Sequence, residues 1–169
     1  DTGELPFFGC TNLTSVGCSN NNFAANNGIL YQNNTDGSKK LIECFASRGG
    51  LVGTGTINTT NDPDLKDVNE IAKGAFSDCD NIRFLDFAGA ASLSTIPEDC
   101  FRGSDNLRTI DLPTTVSQVE DNAFAEIASD VEVIARNKQV YLSSTAFGNT
   151  SLSGQPYYVT YTNAASRQY

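Results

Sequence analysis

The chain has 169 residues, enough for one domain, and its 20 Asp plus Glu outweigh 11 Lys plus Arg to give a net charge of −9. So acidic a chain repels phosphate, which excludes nucleic acid as a natural partner, and no apolar run is long enough to span a membrane. The sequence contains no His, which excludes Ser-His-Asp and Cys-His catalysis and His-ligated zinc. We therefore expect no enzyme, no metal and no cofactor. The 14 Gly, together with many Asn, are typical of a turn-rich β protein.

A phenylalanine recurs along the chain at a nearly constant spacing. Intervals of 25, 23 and 23 residues separate Phe76, Phe101, Phe124 and Phe147, and Phe7 begins an earlier copy 69 residues before Phe76, which is three periods of 23. The position five residues before each later Phe is aliphatic, as Ile71, Ile96, Val119 and Leu142. Units of this length cannot bury a hydrophobic face alone, so they must stack and share one core. The spacing predicts a repeat solenoid with coils of about 23 residues and these Phe rings stacked inside.

The first copy, residues 7–18, places Phe7, Leu13 and Val16 at the apolar positions of the repeat and predicts a strand over Leu13–Val16. No amphipathic capping segment precedes it. A solenoid without a cap exposes an apolar end. Phe7 and Leu13 are therefore expected to form an end for assembly, unless the cap lies on sequence removed from this chain.

The run Asn61-Asp62-Pro63-Asp64-Leu65-Lys66-Asp67 clusters carboxylates, which are ligands that Ca²⁺ takes. The run lacks the full spacing and the Glu of an EF-hand loop. A solvated loop is the favoured interpretation, with Ca²⁺ binding as the alternative.

The later repeats lie around 71–93, 96–116, 119–139 and 142–150. Alternating residues predict short strands over Ile82–Phe87 and Leu107–Leu112, which stacking would join into a parallel sheet. The outward rows of that sheet are expected to place Arg83 beside Arg108 and Asp86 beside Asp111, with Phe84 and Thr109 between them. These six residues form either a binding face for a partner or solvated cross-strand charge pairs.

The C-terminal segment, residues 155–169, contains the aromatic run Tyr157–Tyr161, whose alternating character predicts a strand that closes the last coil or pairs onward. Tyr157, Tyr158 and Tyr161 would then form a second assembly end. Contact between this end and the Phe7–Val16 end of another copy is heterologous, so it would propagate into a filament unless the rotation closes a ring.

Two stretches, 71–87 and 96–113, share one pattern: an aliphatic residue, four others, Phe, a small or polar stretch, Asn followed by Ile or Leu, and an alternating apolar strand. This pattern resembles the BspA-like (bacterial surface antigen type) leucine-rich repeats, and the resemblance extends from about Phe7 to Thr150. It implies a right-handed solenoid of leucine-rich-repeat type in a single domain, residues 1–169, that is extracellular or lies on the cell surface. It also implies a non-enzymatic role in adhesion, host-protein binding or self-association.

Members of that family often carry a β-hairpin insertion, and residues 23–48 resemble it. Phe23–Tyr31 is similar to its outgoing part, and Lys40-Leu41-Ile42 is similar to its return strand. The segment between them, Asn33-Asn34-Thr35-Asp36-Gly37, has the Asx-Gly chemistry of a hairpin turn.

Five Cys lie at positions 10, 18, 44, 79 and 100, and the odd number leaves at least one outside any internal disulfide. Cys10 and Cys79 share a repeat position that accepts small or apolar groups, and Cys100 stands at an Ala position. Buried thiols are therefore the favoured interpretation. A Cys79–Cys100 or Cys18–Cys44 disulfide is the alternative in an oxidising compartment.

Sequons for N-glycosylation begin at Asn12, Asn33, Asn58 and Asn149, a number that chance explains for this composition. Asn33 in a hairpin turn and Asn58 in a polar loop are the expected accessible sites for glycans. Asn12 aligns with Asn81 and Asn106, where an inward amide bonded to the turn backbone is expected.

Two non-enzymatic hypotheses follow. In the first, the chain is a surface protein that binds a protein partner through the outward sheet residues. In the second, it is a structural subunit that stacks end to end with further copies of itself into an extracellular filament or surface array. An enzymatic function is disfavoured because, without His, the sequence shows no set of residues that is typical of acid/base or nucleophilic catalysis.

Overall fold

The computed structural model describes residues 5–10, 12–45, 55–128 and 130–148, together with the backbone of 158–161. A short 3₁₀ helix spans Pro63–Asp67. The strands in chain order are β1 (Phe23–Asn26), β2 (Ile29–Asn33), β3 (Lys39–Cys44), β4 (Thr56–Ile57), β5 (Val68–Ile71), β6 (Phe84–Asp86), β7 (Thr95–Ile96), β8 (Thr109–Leu112), β9 (Gln118–Val119), β10 (Glu132–Ala135), β11 (Tyr141–Leu142) and β12 (Tyr158–Tyr161).

Two parallel sheets run along a solenoid of about four turns, each coil holding about 24 residues. The five-strand sheet has the order β12-β10-β8-β6-β4, and the three-strand sheet has the order β11-β9-β7. Each complete coil gives one strand to each sheet, and neighbouring coils pair in register, for example Leu85 with Ile110 and Ile96 with Val119. The predicted repeat solenoid of leucine-rich-repeat type is therefore confirmed.

The strands are shorter than the apolar alternation predicts, but they lie within the predicted segments. Strand β6 lies inside Ile82–Phe87, and β8 lies inside Leu107–Leu112. Leu85 and Ile110 point into the core, with 1% and 0% of their surface exposed. Short strands suffice because each coil turns out of the sheet soon after its inward residue is buried.

The phenylalanine column is the axis of the core. The rings of Phe76, Phe101, Phe124 and Phe147 stack with centroid distances of 5.4, 5.3 and 5.3 Å between successive coils. The rings of Phe76, Phe101 and Phe124 are at most 1% exposed. The ring of Phe147, at the end of the described coils, is half-buried. Backbone hydrogen bonds follow the same rows: the N–H of Phe101 donates to the Ala123 carbonyl at 2.8 Å. The prediction that these rings stack inside the molecule is confirmed.

Residues two positions before and two positions after each buried Phe adopt the left-handed conformation. The preceding position is Gly74, Asp99 or Asn122, with φ of 68°, 54° and 54°, and the following one is Asp78, Gly103 or Glu126, with φ of 54°, 72° and 55°. Gly, Asn and Asp tolerate this conformation better than other residues. These six residues therefore form two fixed turns in each of the three coils that contain Phe76, Phe101 and Phe124.

The β-hairpin caps the first coil. Strands β1, β2 and β3 form an antiparallel meander, and Asn27 and Gly28, with φ of 46° and 77°, make the tight turn between β1 and β2. Strand β3 then pairs in parallel with β5, so that Leu41 lies beside Ile71. The Cys44 N–H donates to the Ala75 carbonyl at 2.8 Å, the same bond that Phe76 makes to Cys100 one coil later. Strand β3 thus occupies the place of a preceding coil. The expected hairpin around Asn33–Gly37 is present as β2 and β3, but its expected outgoing part, Phe23–Tyr31, is divided between β1 and β2 by the turn at Asn27-Gly28. The described part of the hairpin ends at residue 45.

The first repeat copy does not form a coil. The expectation of a strand at Leu13–Val16 is wrong, because this segment makes no strand pairing. Phe7, Leu13 and Val16 instead pack half-buried on the outer face of the hairpin, against Leu30 and Phe45. The ring of Phe7 lies 5.6 Å from that of Phe45 in an edge-on contact. The hairpin already covers the first coil, so the expectation of an uncapped solenoid end is also wrong.

The aromatic C-terminal run forms β12. It pairs in parallel with β10 and is the outermost described strand of the five-strand sheet. Tyr157 and the remainder of 155–169 lie outside the described residues, as do the side chains of Tyr158 and Tyr161.

Candidate functional site

The outward side of the five-strand sheet, called here the sheet face, carries the residues expected to contact a partner. Phe84 lies beside Thr109, and Asp86 lies beside Asp111, in the register between β6 and β8. Leu85 and Ile110 alternate with them and point into the core. The predicted pairing of rows is therefore correct for these four outward residues.

Phe84 is the exposed aromatic residue of the sheet face. Its side chain is 46% exposed although it lies in a strand, and Thr109 and Asp86 beside it are half-buried. An exposed ring leaves apolar surface in contact with water at a cost to solubility. Such a residue within a row of smaller polar neighbours is typical of a contact point for a partner.

The two arginines expected on the same face lie at its margin. Arg83 and Arg108 are neighbours, because the Arg108 N–H donates to the Arg83 carbonyl at 2.8 Å. They precede β6 and β8 rather than alternate outward with Phe84. The guanidinium of Arg108 donates to the carbonyls of Asp105 and Leu107 and lies 3.5 Å from a carboxylate oxygen of Asp130. Arg108 is thus engaged by its own coil and the next.

Asp111 is buried, so its expected role as a solvent-facing residue is wrong. Arg136 donates to it through two parallel hydrogen bonds, Nε to Oδ1 and Nη2 to Oδ2, each 2.7 Å long. The side chains of Asp111 and Arg136 are 3% and 16% exposed. Charge-assisted pairs of this geometry are strong and hold both groups in place. The pair therefore forms a rigid floor beside Phe84 and Asp86.

A groove of about 370 Å³ runs along the sheet face. The residues that line it are Thr56, Asn58, Phe84, Leu85, Asp86, Thr109, Asp111 and Ile134. Its walls combine apolar surface with neutral polar groups and carboxylates, and neither Arg83 nor Arg108 contributes to it. A groove of this size accommodates a side chain or a short extended segment of a partner.

A second polar cluster joins the hairpin to the first coil. The Tyr31 hydroxyl donates to Asp62 Oδ2 at 2.8 Å, and Asn26 Nδ2 and the Asp64 N–H each donate to Oδ1 at 3.2 Å. Asp62 is fully buried. Burial raises the pKa of Asp62 to about 6, against the effect of the Tyr31 hydrogen bond, and burial also raises the pKa of Tyr31.

This cluster corrects the expectation of a solvated loop at residues 61–67. The run contains the 3₁₀ helix, with Asp62 as its N-terminal cap, Pro63 in its first turn and Leu65 buried. Asp64 lies 3.7 Å from the Lys39 ammonium, so protein donors engage these carboxylates. Among the described residues, no group of three or more Asp, Glu or Cys is arranged to hold a metal ion. The Asp62-Pro63 pair is a sequence signal for the start of this helix. No sequence signal indicates that Asp62 bonds to Tyr31.

The sequons differ in accessibility. The Asn33 amide donates to the Asn21 carbonyl at 2.8 Å and its oxygen accepts from Lys39 at 2.7 Å, so the nitrogen that would carry a glycan is engaged. Asn58 is half-buried and accepts from the Thr60 N–H at 2.9 Å. Asn12 is exposed, so the expectation of an inward amide there is wrong. Asn149 lies outside the described residues.

The five cysteines divide into a buried group and an exposed group. Cys44, Cys79 and Cys100 are buried, and neither the Cys79–Cys100 nor the Cys18–Cys44 disulfide is present in the structure. The Cys79 thiol donates to the Cys44 carbonyl at 3.5 Å, and burial raises the pKa of Cys100. Cys10 and Cys18 are exposed, so the expected burial of Cys10 is wrong because its segment is not a coil. Within the described part of the chain, no helix has the length and apolar character needed to cross a membrane.

Comparisons with known proteins bear on the repeat itself. The curated proteins contain no match to this chain. A leucine rich cell surface protein from Faecalibacterium prausnitzii A2-165 has a similar crystal structure, with 22% sequence identity and a TM-score of 0.48. The similarity covers 74% of this chain and 36% of that chain, so this chain corresponds to about a third of the other's length. Residues 56–163 match the BspA type leucine rich repeat region in six copies. That match covers well over half of the chain and agrees with the stacked coils, so this protein belongs to the BspA-type leucine-rich repeat family.

Proposed function

We propose that this protein is a non-enzymatic module of the cell surface that binds a protein partner through the sheet face. The observation that carries the proposal is the exposed ring of Phe84 in a groove whose floor is fixed by the Asp111–Arg136 pair. Interfaces concentrate their binding energy in a few aromatic residues set among well-ordered neighbours. The extracellular or surface location is what resemblance to bacterial surface antigens implies.

The rigidity of the scaffold supports this role. Strands β6, β8 and β10 each pair with a neighbouring strand on both sides, so their backbone does not need to order when a partner binds. A preformed surface loses little conformational entropy on association, which favours binding by surface contact. Repeat solenoids commonly use such extended surfaces for recognition.

Adhesion measurements test the proposal. We expect cells from the environment in which the organism that makes this protein lives to attach to a surface coated with the wild-type protein. We expect Phe84→Arg to abolish attachment, because a charged side chain replaces the apolar contact. Tyr141→Arg is the matched control, since Tyr141 is 67% exposed on β11 of the other sheet and should leave attachment unchanged. Equal attachment by the wild type and Phe84→Arg would contradict the proposal.

The non-enzymatic part has its own test. We expect no turnover of peptide, ester or phosphoester substrates by the purified chain. A saturable activity that disappears when one Asp or Glu is replaced would overturn this part and leave the adhesion result untouched.

End-to-end assembly is a second candidate, and two observations favour it. Strand β12 is the outermost described strand of its sheet, and Phe8 is 57% exposed on the segment that covers the hairpin at the opposite end. Contact between these ends would bury an apolar ring against an open strand edge. Light scattering over a concentration series tests it: growth in mass that Phe8→Ser abolishes is expected, and a concentration-independent monomer would exclude it.

A further inference from the structure

We propose that the groove of the sheet face receives a lysine or arginine side chain from an extended segment of the partner. This inference rests on the proposed function and specifies the chemistry of the partner that the sheet face recognises.

The charge of the groove comes from Asp86. Its Oδ1 accepts the Ala88 N–H at 2.7 Å, and no cation pairs with its carboxylate among the described residues. Asp111 beside it differs, because Arg136 occupies both of its carboxylate oxygens. One carboxylate of the groove is thus neutralised within the chain, and the other is available to an outside cation.

Phe84 and Asp86 are spaced to contact one basic side chain together. They lie on the same side of β6, two residues apart, which separates their Cα atoms by about 7 Å. Lysine and arginine lay their methylene stems along apolar surface and keep the charge at the tip. A stem that crosses the 46% exposed ring of Phe84 can therefore place its cation beside the ring and the Asp86 carboxylate.

The remaining lining of the groove suits the backbone of an extended segment. Thr56, Asn58 and Thr109 supply neutral hydrogen-bonding side chains around Phe84 and Asp86. Among the described residues, no lysine or arginine lines the groove, so no described cation competes for the position. The net charge of −9 favours a basic partner over an acidic one at long range as well.

Binding of short peptides to the full chain tests the inference by amide NMR. The probes are extended peptides that are identical except for a central lysine, leucine or glutamate. We expect the lysine peptide to shift the amides of Phe84, Asp86 and Thr109 in a saturable way. The leucine peptide should bind about tenfold more weakly and the glutamate peptide more weakly still, and added salt should weaken the lysine peptide most.

Two variants separate the contributions of charge and ring. Asp86→Asn keeps the oxygen that accepts the Ala88 N–H, so the strand end stays intact, and it should remove the preference for lysine over leucine. Phe84→Leu should weaken the lysine and leucine peptides together. Tyr141→Leu on the other sheet is the control and should change neither affinity.

The outcomes distinguish this inference from the proposed function. Equal binding of the lysine and leucine peptides, or lysine binding that Asp86→Asn leaves unchanged, would overturn the inference, as would a lysine peptide that shifts no amide of the sheet face. The proposed function would survive each of these results if Phe84→Arg still abolishes cell attachment. The proposed function would fail alone if the lysine peptide binds as expected while cells still attach to a surface coated with the Phe84→Arg protein.

Discussion

The coil stack, residues 71–148, and the capped end, residues 5–45, bury their apolar residues in different ways. In the stack, Phe101 and Phe124 each lie between two equivalent rings 5.3 to 5.4 Å away, and Phe76, Phe101 and Phe124 are almost fully buried. At the capped end, Phe7 carries a similar sequence context but lies half-buried on the outside of the hairpin. A repeat motif thus forms a coil only where a neighbouring coil is available on which to stack.

The polar ties of the two regions also differ. The Asp111–Arg136 pair joins neighbouring coils, whereas the Asp62–Tyr31 hydrogen bond joins the hairpin to the first coil. The first interaction joins two full charges, whereas the second joins two titratable groups, Asp62 and Tyr31, whose pKa values are both raised by burial. We expect the stack to respond most strongly to the loss of packing and the capped end to respond to pH.

Replacement of Phe101 by Ala gives the largest expected effect, because this ring is fully buried between two others. The free energy of unfolding should fall by about 3 to 5 kcal/mol, which is the usual cost of removing a large buried aromatic side chain. Urea denaturation measures it. A denaturation midpoint equal to that of the wild type would contradict the conclusion that packing of the Phe column stabilises the stack.

Removal of Arg136 comes next, because it leaves the buried Asp111 carboxylate without its bidentate donor. We expect Arg136→Ala to lower the free energy of unfolding by about 3 kcal/mol. The double variant Arg136→Ala with Asp111→Ala should recover part of the loss, since neither charge of this pair then remains. A double variant no more stable than Arg136→Ala would contradict the role assigned to the pair.

The contact between the capped end and the first coil should show a pH dependence centred on Asp62, which bonds to Tyr31. Its pKa is raised to about 6 in the folded chain and is about 3.9 in an unfolded one, so the folded chain alone retains the proton between these values. The contribution of Asp62 to stability is therefore fully present below about pH 4 and is lost as the pH rises through 6, by about 3 kcal/mol. Urea denaturation at several pH values should show this loss in the wild type relative to Asp62→Asn. Parallel pH profiles for the two proteins would contradict it.

Replacement of Phe7 by Ala gives the smallest expected effect. This ring is half-buried and contacts Phe45 from one side only, so its loss should cost about 1 kcal/mol. The comparison with Phe101→Ala in the same assay sharpens the contrast between the regions. A cost for Phe7→Ala as large as that for Phe101→Ala would mean that the N-terminal segment is part of the core.

The sequence predicted the coil stack well because stacking imposes a period. The recurring Phe, the aliphatic residues five positions earlier and the inward strand residues must all repeat when identical coils share one core. The turn between β2 and β3 was predicted from the Asx-Gly chemistry of Asn33–Gly37, where Gly37 has a φ of 88°. These features depend on near neighbours in sequence or on a constant offset.

The candidate site was predicted only in part. The sequence identified Phe84 and Asp86 correctly as outward, because alternation along a strand is a local property. The sequence could not indicate that Asp111 is buried, because its partner Arg136 lies 25 residues away. Arg136 is also not one of the residues that recur from repeat to repeat. The partner of Tyr31 lies 31 residues away, and nothing periodic connects it to Asp62.

The sequence by itself determined that this chain is a solenoid, how long its coils are and which residues point inward. Only the tertiary structure decided that the hairpin replaces a first coil, that Phe7–Val16 lies outside it, and that Arg136 pairs with the buried Asp111. Periodic spacing records contacts that every coil repeats with the next. The cap and the ion pair are single contacts between distant segments, and their formation depends on which surfaces the completed fold brings together.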